Sequence, residues 1–124
     1  MFEVGDVLYV YNTAVNPPEN KYSVFVCLNE KLFFLINTKN RSIYKCLPIK
    51  QEKNRYLKYD SYISCNRTFQ YSLDQLKEQN KVGRLDFETI KNLYQHIKDN
   101  VNTLPPAEKS AILTDLHNFI LDNS

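Results

Sequence analysis

Five short apolar runs, separated by turn-forming residues, fill the first half of the chain, and only beyond residue 70 does the hydrophobic spacing change to threes and fours. A chain divided in this way forms a sheet first and helices second. Val7-Leu8-Tyr9-Val10-Tyr11 follows Gly5-Asp6 and is rich in side chains that pack on a pleated surface. Asn16-Pro17-Pro18-Glu19-Asn20 then forces a loop, because neither proline offers an N–H and each restricts its predecessor. Residues 22–28 and 32–36 read as the next two strands around an Asn29-Glu30-Lys31 turn, and residues 42–49 as a fourth after Thr38-Lys39-Asn40-Arg41. The short connections predict three consecutive antiparallel neighbours. Ser61-Tyr62-Ile63-Ser64-Cys65 is the fifth strand.

Helical signals follow. Ser72 stands before residues 73–79 with Gln75 at the capping-box position, which predicts a first helix. Asp86 precedes Phe87, Ile90, Leu93, Tyr94 and Ile97, a stripe that needs an apolar surface to cover. Leu104-Pro105-Pro106 stops and restarts the chain before Ile112, Leu116, Phe119 and Ile120. Gly83 has no phosphate-loop pattern around it and is read as a turn before the Asp86 helix. The expected fold is mainly β with α, a small barrel of about five antiparallel strands plus two or three helices. Barrel closure removes exposed edges.

At 124 residues and 43% apolar content, one domain over 1–124 is expected, its barrel at about 4–70 and its helical part at about 71–121. No window nears the roughly 18 continuous apolar residues of a spanning helix, and the start carries no signal-peptide pattern, so a cytoplasmic location is expected with no membrane partner. Cys27, Cys46 and Cys65 lack C-x-x-C spacing and read as buried thiols. His96 and His117 lack the spacing of a zinc site, and no metal or cofactor is expected.

Charge is unevenly placed. Residues 31–58 carry eight Lys and Arg against the single acid Glu52, and residues 1–70 carry ten such cations against six acids. Residues 71–124 reverse the balance, with six against eight. A polyanion therefore suits only the first part. Lys21, Lys50, Lys53, Arg55 and Lys58 could bind phosphates while Tyr22, Tyr56 and Tyr59 stack on bases. The bland alternative is a solvated rim with tyrosines packed beneath it, and a protein partner is a third reading. Asp6 and Glu30 could be acids but sit at turns, where carboxylates bond backbone N–H groups, the favoured reading; Asp60-Ser61 is either a strand entrance, the favoured reading, or part of a polar pocket.

RNA can be cleaved without a metal if the ribose 2′-hydroxyl attacks the adjacent phosphorus. Protein groups must then take its proton, hold the phosphoryl oxygens and protonate the leaving 5′-oxygen. Lysine stabilises charge well but is a poor base at its ordinary pKa of about 10.4. Neither histidine lies near the basic cluster in sequence.

These pieces resemble the PemK and MazF family of toxin endoribonucleases. Val4-Gly5-Asp6-Val7-Leu8-Tyr9-Val10 is similar to the family's Gly-Asp-hydrophobic first strand, and Asn20-Lys21-Tyr22-Ser23-Val24-Phe25-Val26 takes the place of its Arg-Pro-hydrophobic second strand. Leu47-Pro48-Ile49, Asp60-Ser61-Tyr62-Ile63 and Val82-Gly83-Arg84-Leu85 resemble later motifs, so that the likeness spans most of residues 3–98. It implies an SH3-like barrel with appended helices, a homodimer, metal-independent cleavage of single-stranded RNA, and an antitoxin protein partner. The family's arginine and threonine or serine fall at Lys21 and Lys50 here, with Ser23 and Ser61 as hydroxyls that could compensate. Lysine lacks the guanidinium fork, and Lys50 has no hydroxyl. The implied catalytic set is Lys21, Lys50, Ser23 and Ser61, and the RNA-binding set is Lys53, Arg55, Tyr56, Lys58 and Tyr22. A catalytically inactive barrel that binds nucleic acid or a partner protein is the competing expectation.

Overall fold

Every apolar run found in the first half enters one antiparallel sheet, and a sixth strand joins them. The computed structural model describes residues 2–124. Its strands are β1 (Asp6–Asn12), β2 (Glu19–Cys27), β3 (Leu32–Asn37), β4 (Cys46–Ile49), β5 (Ser61–Phe69) and β6 (Lys81–Arg84). They lie in the order β4-β5-β3-β2-β1-β6. The sheet curls into a half-barrel that is broadly SH3-barrel-like, and two helices, α1 (Phe87–Asn100) and α2 (Pro106–Asp122), pack on it.

Period-two alternation sorts the side chains to two faces. Val7, Val24, Val26, Phe34, Ile36 and Ile63 face the helices and build the main core with Ile90, Leu93, Ile97, Ile112 and Leu116. The stripe expected after Asp86 is α1 itself, whose cap is the Asp86 carboxylate accepting from Thr89 N at 3.2 Å. Pro106 occupies the first turn of α2, where a missing N–H costs nothing. The opposite face holds a smaller core of Leu8, Val10, Phe25 and Phe33, covered by Phe2, Tyr71 and Leu76.

Three expectations are corrected. The strand before residue 50 does not continue the meander: Ser42–Tyr44 winds a single 3-10 turn, Lys45 adopts a left-handed conformation, and β4 pairs with β5 rather than β3. Pro48 supplies the reason, since a residue without an N–H is tolerated at a sheet edge, which is where β4 lies. Residues 73–79 form no α-helix: residues 73–75 make a turn and Glu78–Asn80 a single 3-10 turn, with the Gln75 side chain accepting from both Ser72 N and Ser72 Oγ. Gly83 is in a strand, not a turn: β6 pairs with β1 through Asp6↔Arg84 and Val7↔Gly83.

The loop after β4 spans the gap between the two edge strands. Tyr56 packs over Gly83 of β6, and Asn54 Nδ2 donates to Asp86 Oδ1 at 3.4 Å. Side chains thus close what backbone pairing leaves open. Among the described residues, no helix is long and apolar enough to cross a membrane.

Candidate nucleic-acid interface

The upper part of the second sheet face is uncovered and forms a cleft of about 340 Å³. Its floor comes from neighbouring strands. Lys21 of β2 faces it, as do Leu35 and Asn37 of β3 and Ser64 of β5. The residue 14–17 loop forms one wall, held by Asn12 Oδ1 accepting from Ala14 N at 2.7 Å and Val15 N at 3.2 Å. The opposite wall is a bulge in β5: Leu35 pairs with Ser64 but Phe33 pairs with Phe69, so residues 65–68 stand against the single Phe34, three more than a regular ladder holds, and the strand bends there. Asn66 and Arg67 reach the cleft from this bulge.

The floor is a hydrogen-bonded chain. Lys21 Nζ donates to Asn37 Oδ1, and Asn37 Nδ2 donates to Ser64 Oγ at 2.8 Å. Ser64 Oγ then lies 4.0 Å from Cys46 Sγ. The Lys21 side chain is 17% exposed and stands 3.8 Å from the Glu19 carboxylate. Its ammonium is therefore held in place by one neutral and one anionic acceptor.

A second cleft shares Asn16, Glu19, Lys21, Asn37 and Tyr44 with the first and passes over the ends of β2 and β3 to Tyr9 and Tyr22. Lys39 and Arg41 line it. The combined groove presents Lys21, Lys39, Arg41 and Arg67 against the single acid Glu19. Two of its cations are associated with rings: the Arg67 guanidinium lies 4.3 Å from the Phe69 centroid, and that of Arg41 lies 5.9 Å from Tyr44. Tyr9 and Tyr22 stack at 4.6 Å, and Tyr9 remains 42% exposed.

The residues singled out from sequence divide between two regions. Lys21 and Ser23 share the cleft face, yet Ser23 is fully buried and its hydroxyl shares a 2.6 Å hydrogen bond with Tyr71 Oη. Asn12 Nδ2 donates to the same Tyr71 oxygen at 3.1 Å. Tyr22 is one residue from Lys21 and so points to the other side of the sheet, where its Oη donates to the Tyr56 carbonyl at 3.2 Å.

Lys50 follows β4 and does not line the cleft that holds Lys21. From β2 to β4 there are three inter-strand spacings, roughly 14 Å along the sheet. Lys53, Arg55 and Lys58 are exposed on the same outer loop as Lys50. That loop is pinned by Asp60 Oδ1 accepting from Gln51 N at 2.9 Å, and Asp60 stands immediately before β5. Ser61 is buried and donates to the Tyr59 carbonyl at 2.9 Å.

Tyr56 is packed rather than presented. Its Oη donates to Asn54 Oδ1 at 3.1 Å, and burial, with Asp86 nearby, pushes its phenol well above the ordinary range. Tyr59 is exposed. Asp6 is more than a turn acceptor: besides Glu3 N it binds Arg84 and, at 3.5 Å, Lys81.

Sequence reading missed Asn37, Ser64, Asn66, Arg67 and Tyr44. The parity of Lys21 against Tyr22 was a usable signal, whereas the β5 bulge that presents Asn66 and Arg67 had none. His96 Nε2 donates to the Lys45 carbonyl at 2.8 Å, and the His117 ring packs on Tyr94 at a centroid distance of 5.7 Å. Among the described residues, no three His, Cys, Asp or Glu side chains are grouped to share a metal ion.

The sequence matches no protein-family model and no curated protein. The likeness to PemK and MazF rests on its short motifs alone, and what stands is a small mixed domain with basic and aromatic surfaces of a kind that nucleic acids or proteins can bind.

Proposed function

We propose that this domain binds single-stranded RNA along the groove from Arg67 and Phe69, over Lys21 and Tyr44, to Tyr9 and Tyr22. The observation that carries the reading is the grouping of four cations with exposed or half-exposed rings along two adjoining clefts that share Asn16, Glu19, Lys21, Asn37 and Tyr44. Cations track a phosphate backbone and rings accept unstacked bases, whatever their sequence. RNA is chosen over DNA because of the motif resemblance.

One observation favours a second reading, metal-independent cleavage. Glu19 and Lys21 stand together at 3.8 Å, supplying the base that the lysines alone lacked. In that chemistry the Glu19 carboxylate takes the 2′-hydroxyl proton, the oxygen bonds to phosphorus, and Lys21 stabilises the phosphoryl charge. The P–O5′ bond breaks, and a water protonates the leaving oxygen, giving a 2′,3′-cyclic phosphate and a 5′-hydroxyl.

Both readings are tested with one unstructured RNA. Fluorescence anisotropy between about 50 and 200 mM salt should give a log–log slope near −3, about −0.7 for each of four phosphate contacts. Arg41→Ala and Arg67→Ala should each weaken binding and flatten the slope. Binding that is indifferent to these variants but lost in Lys53→Ala and Lys58→Ala would move the interface to the outer loop. End mapping in chelator reads cleavage separately: cyclic-phosphate ends that vanish in Glu19→Gln support the nuclease, and intact bound RNA leaves binding alone.

A further inference from the structure

Within the groove, the Asn66 side chain stands apart from its neighbours. Asn37 and Ser64 on the floor bond each other, and Lys21 is held by Asn37 and Glu19. Asn66 reaches the same cleft half-buried, and its side-chain amide makes no hydrogen bond to the described residues. Its backbone is fixed nonetheless, since its carbonyl accepts from Thr103 Oγ1 at 3.1 Å. The bulge between the Ser64 and Phe69 pairings aims it, in the way bulges re-aim side chains beside binding sites.

Two rings and two cations line the cleft that this side chain reaches. Phe69 and Tyr44 line the cleft together with Lys21 and Arg67. The volume of about 340 Å³ falls in the range of small-ligand sites. An asparagine amide offers a donor beside an acceptor, the arrangement that reads the edge of a nucleobase. We infer that this cleft seats one unstacked nucleotide, its base edge on Asn66, its ring against Phe69 or Tyr44, and its phosphate on Lys21 and Arg67. This rests on the RNA-binding reading and adds to it a defined place where a base, rather than backbone alone, is recognised.

The test compares adenosine 5′-monophosphate and uridine 5′-monophosphate with ribose 5-phosphate, which carries the same phosphate without a base, against the intact isotope-labelled chain. Nucleotides should shift the Asn66 side-chain amide resonance and bind about ten-fold or more tighter than ribose 5-phosphate, the scale of one stacked base. Phe69→Ala should erase most of that preference and Asn66→Ala part of it, both leaving ribose 5-phosphate binding unchanged, with an unaltered melting temperature as the folding control. Equal binding of all three ligands, or nucleotide shifts that bypass Asn66, would overturn the seat. If RNA still binds in that case, only the seat fails; if neither RNA nor nucleotide binds, the groove reading fails with it.

Discussion

Gly83 and Tyr56 share one space: a Cβ at position 83 would stand 2.3 Å from Tyr56 Cδ1 and 2.9 Å from Cε1. Glycine at this point of β6 is required by close approach, since the ring of the loop after β4 lies directly on the strand. The contact ties the two ends of the half-barrel together. Gly83→Ala must push the ring away or shift the strand, and overpacking of this kind costs about 1–3 kcal/mol. Urea unfolding should show that loss, and Tyr56→Leu in the same background should recover part of it. Additive losses in the double variant would mean that the two residues do not compete for the space.

Alkaline pH probes the same ring. Burial raises the Tyr56 phenol well above its ordinary value, with Asp86 adding to the effect, and burial raises Tyr71 as well. A raised acid keeps its proton in the folded chain at a pH where the unfolded chain has lost it. Stability from these phenols is therefore complete below about pH 10 and falls as pH rises further. Cys65, raised by burial, begins the same decline from about pH 9. Urea midpoints measured at rising pH should fall through this window, and Tyr56→Phe should flatten the part above pH 10. A midpoint that held steady to pH 11 would contradict this account.

Sequence reading succeeded where a single physical rule acted locally. The apolar runs gave the strands, and Asp86 with the Ile90, Leu93 and Ile97 stripe gave α1, because alternation and helical spacing are local. It failed where a distant contact decided. Ser72 and Gln75 carry a helix-start pattern, but Leu76 is drawn onto Phe25 and Phe33, and the segment crosses the sheet as turns. Gly83 looked like a turn because nothing in its neighbourhood announces Tyr56. The basic run over 31–58 was visible, but its division was not. Lys39 and Arg41 go to the groove while Lys53, Arg55 and Lys58 go to the outer loop, and the turn at Ser42–Tyr44 with the edge placement of β4 makes that separation.

Ser23 gives a further prediction, because its burial under Tyr71 makes it a partner in packing. Tyr71→Phe removes the 2.6 Å bond to Ser23 and the one from Asn12, leaving buried polar atoms unpaired. A loss of about 1–3 kcal/mol is expected in chemical unfolding. Adding Ser23→Ala should cost little more, since it removes one of the groups left unpaired. RNA affinity of the Ser23→Ala chain should stay within about two-fold of the parent, well under the 1.4 kcal/mol that a ten-fold change represents. A larger loss would bring Ser23 back into the binding machinery.

Asp6 makes the strongest demand on the sheet edge. It is fully buried, and Arg84 and Lys81 of β6 supply its positive partners while Glu3 N donates to it at 2.8 Å. Arg84 also donates to the Val4 carbonyl at 3.1 Å, so one guanidinium fastens β6 to the chain leading into β1. Removing it strands a buried carboxylate. Lys81 remains at 3.5 Å and is itself partly exposed, so the compensation is incomplete. Arg84→Met, which keeps the length of the stem, should destabilise the fold by about 3 kcal/mol, the lower end for breaking a buried pair. Adding Asp6→Asn to that variant should recover part of the loss by removing the stranded charge. Amide exchange provides the second reading: Asp6, Val7 and Leu85 should lose protection in Arg84→Met before the β2–β3 pair does, because the damage is confined to the edge that Arg84 holds. Uniform loss across the sheet, or none at the edge, would show that the β1–β6 pairing stands without this ion pair.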